Sequence, residues 1–343
     1  MRRRSVSPLL IDSRGSILIM ALWSISLLAV FAVTIGYQVR QKITLVRRLD
    51  DRSELRSIAD AGVRRAMAEI RQEPKERGYD CMSNAWSNNE LVFKDVNIGS
   101  GTFNVCYNYL DEFSGKITRR YGMVDEESKL NVNKAGHAAI GRLLRSMDIG
   151  EADSQDLAAS IEDWRDADSA FVVPLGSAED QYYNALTAPY EAKDTDFEAP
   201  DELLLVKGMT RPLYDKLSKY ITVYGSGKVN INTASRNVLY AVGVDSATVD
   251  KIMQFRPGKD GVLGTVDDNL FDGGIPIAEK LAQAYKMSQG DIDKLSAAAD
   301  QYLAAYSTVF SVSSEARISG KQNSVITSAV IDRKGGVIYW QEI

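Results

Sequence analysis

Two runs of acidic side chains in this 343-residue chain could hold a hard cation. The first is Asp163-Trp164-Arg165-Asp166-Ala167-Asp168, followed by Gly176-Ser177-Ala178-Glu179-Asp180. Asp166 and Asp168 alternate by two, which suits a loop wrapped around an oxygen-liganded ion. Glu179 and Asp180 could close the shell from a second loop. The second run is Asp260-Gly261-Val262-Leu263-Gly264-Thr265-Val266-Asp267-Asp268, then Asp272-Gly273-Gly274. Its glycines allow tight turns, and Asp260, Asp267, Asp268 and Asp272 supply the charge. Calcium takes six to eight oxygens, from carboxylates and carbonyls above all. Soft ligands are scarce, since the chain has one histidine (His137) and two cysteines, so calcium is the metal these residues suit. Neither run has EF-hand spacing, and solvated loop acid is the plain alternative for each.

Other chemistry finds little support. There is no Gly-x-Ser-x-Gly, no His-Glu-x-x-His and no phosphate loop. Paired carboxylates can do acid–base work, but nothing in the sequence sets a pair in a cleft, and the chain reads as non-enzymatic. The net charge is −5, which argues against nucleic acid as the main partner, because backbone binding needs clustered Lys and Arg. Two stretches do resemble helix-hairpin-helix turns, Leu205-Val206-Lys207-Gly208-Met209 and Ala241-Val242-Gly243-Val244. Lys207, Arg211 and Lys216 are at hand, but Asp201, Glu202 and Asp215 surround them. A membrane-anchored DNA-binding or uptake module is therefore the alternative reading, and a packing module built on the same turn is the plainer one. Cys81 and Cys106 could form a disulfide outside the cytoplasm; two buried thiols are the other possibility.

The elements that must position these residues begin with an anchor. From Gly15 to Val39 no side chain is charged. A helix needs ~20 apolar residues to cross ~30 Å of hydrocarbon, and this run is long enough. Arg2, Arg3, Arg4 and Arg14 precede it, which holds its N-terminal end in the cytoplasm. The run is longer than the h-region of a secretory signal, and no Ala-x-Ala closes it. A single-pass anchor and a prepilin-type leader cut after Gly15, leaving Ser16 first, both remain open on this segment alone. Apolar residues continue at three- and four-residue steps through Leu55, Ile58, Gly62, Ala66, Met67 and Ile70, with no proline before Pro74. One helix of ~80 Å is expected from Ser16 to about Arg71.

Period-two texture follows at Leu91–Phe93, Thr102–Tyr107 and Lys116–Val124, with turns at Gly99-Ser100-Gly101 and Ser114-Gly115. From Asn133 the texture is helical, with short helices expected at 138–147, 154–164, 201–205, 211–221, 237–242, 247–255, 277–285 and 291–306. Strand texture returns at 308–318, 324–332 and 336–342, with a hairpin at Lys334-Gly335-Gly336. The economical reading is a β-domain interrupted by a helical insertion, so that the first and last strands share a sheet. Lys129-Leu130-Asn131-Val132-Asn133-Lys134-Ala135 recurs as Lys228-Val229-Asn230-Ile231-Asn232-Thr233-Ala234, 99 residues later. Asn133 and Asn232 stand where helix N-caps would.

These residues suffice for a family resemblance. Arg14-Gly15-Ser16 with its apolar helix, Asp125 to Asn133, Asp163 to Asp168, Gly176 to Tyr183, Asp201 to Gly208 and Lys228 to Ala234 stand in the order of the family blocks. Together they resemble the minor pseudopilin K family of type II secretion systems, also called general secretion pathway protein K. The resemblance implies an α+β fold: a pilin-like long N-terminal helix and antiparallel sheet, with a large inserted all-α domain of helix-hairpin-helix or SAM-like type. It implies a leader at 1–15, a transmembrane half-helix at 16–36, a first pilin-like part at 37–132, an insertion at 133–306 and closing strands at 307–343. Cleavage by prepilin peptidase after Gly15 and methylation of the new N-terminus are implied with it. So are bound calcium and a single-pass place in the bacterial inner membrane with the globular part in the periplasm. The partners implied are minor pseudopilins I and J, the major pseudopilin and the inner-membrane assembly platform, for protein export across the outer membrane. Most pseudopilins carry Glu at the fifth mature position; here that position is Met20, which the resemblance ties to a seat at the filament tip.

Overall fold

The computed structural model describes residues 14–73, 78–168, 170–173 and 176–342. Most of the leader expected at 1–15 lies outside the described residues. The chain divides into two compact units, residues 1–54 and 55–343. Helix α1 runs Arg14–Gln72 without a break, as the absence of proline between Pro8 and Pro74 allows. In its first unit every side chain from Ser16 to Asp50 is exposed, including Trp23, Phe31 and Met20. Among the described residues α1 is the one helix long and apolar enough to cross a membrane.

In chain order the second unit continues with α2 (Glu90–Phe93), β1 (Val96–Ile98), β2 (Gly101–Val105), β3 (Tyr107–Leu110), β4 (Ile117–Arg120), β5 (Val124–Asp125) and β6 (Leu130–Asn131). Then come α3 (His137–Arg145), α4 (Glu151–Asp163), α5 (Asp180–Asn184), α6 (Arg211–Leu217), β7 (Ile221–Thr222), β8 (Val229–Asn230), α7 (Arg236–Ala241), α8 (Ser246–Phe255), α9 (Ile277–Ala284), α10 (Gln289–Tyr302) and β9 (Leu303–Ala304). The chain closes with β10 (Val309–Ile318), β11 (Ser324–Asp332) and β12 (Val337–Glu342).

The main sheet is antiparallel in the order β1-β2-β10-β11-β12, with β5 also on β10. Gly101–Val105 pairs with Ser314–Ile318, so strands from the two ends of the chain do share one sheet. Alternate residues of β10, from Phe310 through Val312 to Ala316 and Ile318, face the C-terminal part of α1. There Leu55, Ile58, Ala59, Val63, Ala66 and Ile70 are buried at helical spacing. Gly62 lies on that face, and a Cβ there would collide with Ser314 Oγ and Phe103. The fold is thus a pilin-like helix on an antiparallel sheet. Between β6 and β9 sits a mostly helical insertion with a separate apolar core, containing Ile140, Leu144, Ile161, Leu239 and Ile252.

Several expectations need correction. Leu91–Phe93 is a helical turn, not a strand: Asn89 O accepts from Val92 N and Phe93 N, which buries Phe93 and leaves Leu91 in solvent. The strand expected over Lys116–Val124 breaks after Arg120, because Gly122 is pressed against the backbone of Trp86 and Ser87. The strand expected over Thr102–Tyr107 divides at Cys106, where β2 leaves β10 and β3 pairs β4 instead. Asn133 and Asn232 are not N-caps; Gly136 and Ser235 hold those positions. Their amides instead staple distant loops. Asn133 accepts from Phe197 N (2.8 Å) and donates to Phe197 O and Val223 O. Asn232 accepts from Phe271 N (2.8 Å) and donates to Phe271 O and Ala305 O.

The internal repeat is thereby a structural one. β6 pairs in parallel with β7, and β8 with β9. Asn131 and Asn230 each accept from the amide two residues on. Arg165 donates to Val132 O and Ala135 O, and Arg256 to Ile231 O and Ala234 O. Each half of the insertion therefore closes with the same strand, helix pair and arginine.

Candidate metal centre

Helix α4 ends at Asp163, and the chain then turns on Arg165, whose guanidinium is spent on the Val132 and Ala135 carbonyls. That turn throws Asp166 and Asp168 to one side. Glu179, the residue before α5, comes back to meet them. One carboxylate oxygen from each of Asp166, Asp168 and Glu179 lies within 4.8 Å of the others. Glu179 is 5% exposed and Asp163 fully buried. Asp163 Oδ2, Asp166 Oδ1 and Glu179 Oε1 are all buried without a hydrogen-bond donor, although Asp163 Oδ1 accepts from Val172 N at 3.0 Å.

Burial, then the charge of neighbouring acids, pushes the Asp166 carboxyl up to about 6 and Glu179 up to about 7. Asp163 is raised for the same first reason. Buried acids that lack donors and repel one another are a costly arrangement. A hard cation removes both costs, and an all-oxygen set of this kind fits calcium. Asp180 does not join the set: its Oδ1 turns away to accept from Ala192 N at 2.7 Å.

The second acidic run does not converge. Asp267 accepts from Thr265 Oγ1 (2.7 Å), Lys259 N (2.8 Å) and Asp260 N (3.1 Å), which holds its carboxyl at about 2. Asp260 accepts from Val262 N and Asp268 from Gly264 N. Asp272 pairs with Lys280 at 3.0 Å and accepts from Gly274 N. These are turn-forming contacts, each within one loop or to the next helix.

Two further expectations resolve. Cys81 and Cys106 are free thiols rather than a disulfide. Cys81 is buried against Asn84 and Ser83, while Cys106 Sγ accepts from Arg119. Lys207 in the first helix-hairpin-helix turn is spent on the carbonyls of Gly176 and Ser177 and on the Tyr182 ring. Arg211 pairs with Asp215. Two of the three cations a phosphate would need are thus already engaged.

A second constellation was not anticipated as a unit, although Asp125 to Glu127 stood out as a block. Where the chain enters and leaves the insertion, Asp80, Asp125, Glu126 and Glu127 are all at least 97% buried. Asp125 Oδ2 accepts from Thr233 Oγ1 (2.5 Å), Ser307 Oγ (2.7 Å) and Asn230 Nδ2 (3.1 Å), and Oδ1 accepts from Glu127 N (2.8 Å). Glu127 accepts from Thr308 N, Thr308 Oγ1 and Val309 N. Asp80 pairs with Arg333 and accepts from Ser307 N; Glu126 pairs with Lys129. These acids tie the outgoing strand, the second half of the insertion and the returning strand together. Their signal in the sequence is the density of acid beside Ser and Thr at 307–308, which only the fold brings together.

Comparison with known proteins bears out the family resemblance. Residues 106–226 match the family described as type II secretion system protein K, first domain. Over 129 residues the chain is 34% identical to the type II secretion system protein K of Aeromonas hydrophila, covering 35% of this chain and 39% of that relative. The chain thus spans about two fifths of the curated relative it matches. In fold it is similar to the crystal structure of the GspK–GspI–GspJ complex from the enterotoxigenic Escherichia coli type 2 secretion system. That likeness has a TM-score of 0.65 at 15% identity, over 87% of this chain and 99% of the other.

Proposed function

We propose, for a chain that carries the protein K domain of the type II secretion system over residues 106–226, the role of a minor pseudopilin at the tip of the secretion pseudopilus. It would be a non-catalytic subunit that nucleates assembly for protein export across the outer membrane. The observation that carries this reading is the join: one domain match spans the end of the pilin-like module and the start of the helical insertion, behind a helix able to span a membrane. The division proposed is a leader at 1–15, a membrane half-helix at 16–36, a pilin-like module at 37–132 and 307–343, and an insertion at 133–306. Cleavage by prepilin peptidase between Gly15 and Ser16, with methylation of the new amine, leaves the α1 rod as the membrane anchor. The globular part then lies on the periplasmic side.

Minor pseudopilins I and J are the partners proposed, by analogy with the complex that shares this fold, followed by the major pseudopilin and the inner-membrane assembly platform. Met20 supports the tip position. A carboxylate in hydrocarbon is costly without a positive partner, and the topmost subunit has no amine above it to offer. Methionine avoids that cost. Calcium is proposed at Asp166, Asp168 and Glu179, with the inward oxygen of Asp163 beside them. When bound, the ion would serve the oxygens of Asp163, Asp166 and Glu179 that otherwise have no donor.

Mass spectrometry of the N-terminus tests the role. A mature chain starting at methylated Ser16 and co-purifying with minor pseudopilins I and J is expected. An intact Met1, or a cut beyond Val39, would defeat the reading.

A further inference from the structure

The lysine of the helix-hairpin-helix turn, which has no phosphate role here, lies against the loop that carries Glu179. Lys207 Nζ donates to Gly176 O at 2.9 Å and to Ser177 O at 3.1 Å. Its own amide donates to the Tyr183 hydroxyl at 3.2 Å, and its ammonium stands 5.1 Å from the centre of the Tyr182 ring. Lys207 therefore grips the backbone three and two residues before Glu179 and the side chains three and four residues after it. Glu179 projects from the middle of this gripped segment, with Oε1 buried and lacking a donor. The loop is also tied to itself, the Gly176 and Ser177 amides donating to Val173 O, and two further features hold it. Asp163 Oδ1 accepts from Val172 N, and Gly176 fits only because it has no Cβ to meet Asp156 and Val173. Both of those come from α4 or from the loop itself. Lys207 adds a hold from the 205–209 turn, 28 residues beyond Glu179.

Resting on the cation reading above, we infer that Lys207 is a positioning residue of the cation site: it sets affinity by fixing the backbone from which Glu179 reaches the ion. Calcium–oxygen distances span only ~2.3–2.6 Å, so a ligand displaced by about 1 Å no longer bonds well. Groups that orient metal ligands without touching the metal typically matter by ~10–100-fold in affinity. The turn that elsewhere would cradle phosphate thus serves as a brace for a metal loop.

The test uses the full chain in detergent micelles, with terbium luminescence sensitised by Trp164 and calcium as competitor. Lys207→Met keeps the aliphatic stem but removes the donors, and Lys207→Arg keeps donors. Glu179→Gln is the loss control, and Asp267→Asn, in the loop that does not converge, is the neutral one. Calcium affinity should fall about 10–100-fold in Lys207→Met and recover in part in Lys207→Arg. The rise in Tm between chelator and saturating calcium should shrink in step. Wild-type affinity in Lys207→Met would overturn this inference alone. So would a Lys207→Met chain that loses Tm equally in chelator and in calcium, which is the mark of a merely structural lysine. A wild-type chain that takes up neither terbium nor calcium would overturn the cation reading and this inference together.

Discussion

Replacing Asp125 by Asn should leave stability nearly unchanged at pH 5 and raise it at pH 8. Asp125 sits inside the junction between sheet and insertion. Burial first, and the Glu127 charge second, push its carboxyl up to about 7 from an ordinary value of 3.8, despite hydrogen bonds from Thr233 and Ser307 that lower it. The charged and potentially charged groups facing it are Asp80, Glu126 and Glu127, with Arg333 and Lys129 already paired to Asp80 and Glu126. A folded-state value above the unfolded one means that the folded chain binds the proton more tightly. Stability from this group is then fully present below about pH 4 and is lost as pH rises to about 7. A rise of roughly 3 units at ~1.4 kcal/mol each makes the swing ~4 kcal/mol. Asparagine removes the titration. Its oxygen can take the Asn230, Ser307 and Thr233 donors, but its NH₂ then faces Glu127 N–H and forfeits that bond, at ~1–2 kcal/mol. Wild type has already lost ~1.5 kcal/mol of that swing at pH 5, which about offsets the missing bond, so the variant is expected to match wild type there and to be ~2–3 kcal/mol stronger at pH 8. Urea unfolding followed by the fluorescence of buried Trp86 and Trp164, in saturating calcium, reads the difference between the two chains at each pH. Acids remote from Asp125 contribute equally to both and cancel, while its coupling to Glu127 and Asp80 is part of the shift being read. Parallel stability curves between pH 5 and pH 8 would refute the reasoning.

Two packing predictions follow from the same unit. Gly62→Ala places a methyl against Ser314 Oγ at the closest approach of α1 to the sheet, and should cost ~1–3 kcal/mol. Ser314→Gly in the same chain should restore part of it, as measured by urea midpoint. Asn232→Ala strips three hydrogen bonds from the buried backbone of Phe271 and the half-buried Ala305, and should cost ~2–4 kcal/mol. Asn133→Ala makes the equivalent deletion in the first half of the insertion, where the side chain is half-buried and water can replace the lost partners, so the smaller loss in thermal unfolding is expected there.

What the sequence made legible was whatever local pattern decides. The α1 rod follows from an uncharged run and the absence of proline. The closing strands follow from alternation, which β10 keeps almost without fault. The misreadings all lie where a distant group decides. Leu91–Phe93 is too short to show a period, and Asn89 makes it a turn. Gly122 ends a strand because Trp86 and Ser87 crowd it from 35 residues away. Asn133 and Asn232 have the composition of caps, yet their amides find Phe197 and Phe271, far along the chain. The two acidic runs make the point most sharply, because by composition they are equals. In the second, glycines and Thr265 put a donor within a few residues of each carboxylate, and of its oxygens Asp268 Oδ1 alone is left buried without one among the described residues. In the first, Arg165 is drawn off to the Val132 and Ala135 carbonyls, and Lys207 to those of Gly176 and Ser177, so the nearest cations are spent on backbone. Asp163, Asp166 and Glu179 are then left facing one another with inward oxygens that no protein group serves. A cation site is distinguished from an acidic loop by where the donors go, and that is settled by contacts 30 residues apart rather than by the acids themselves.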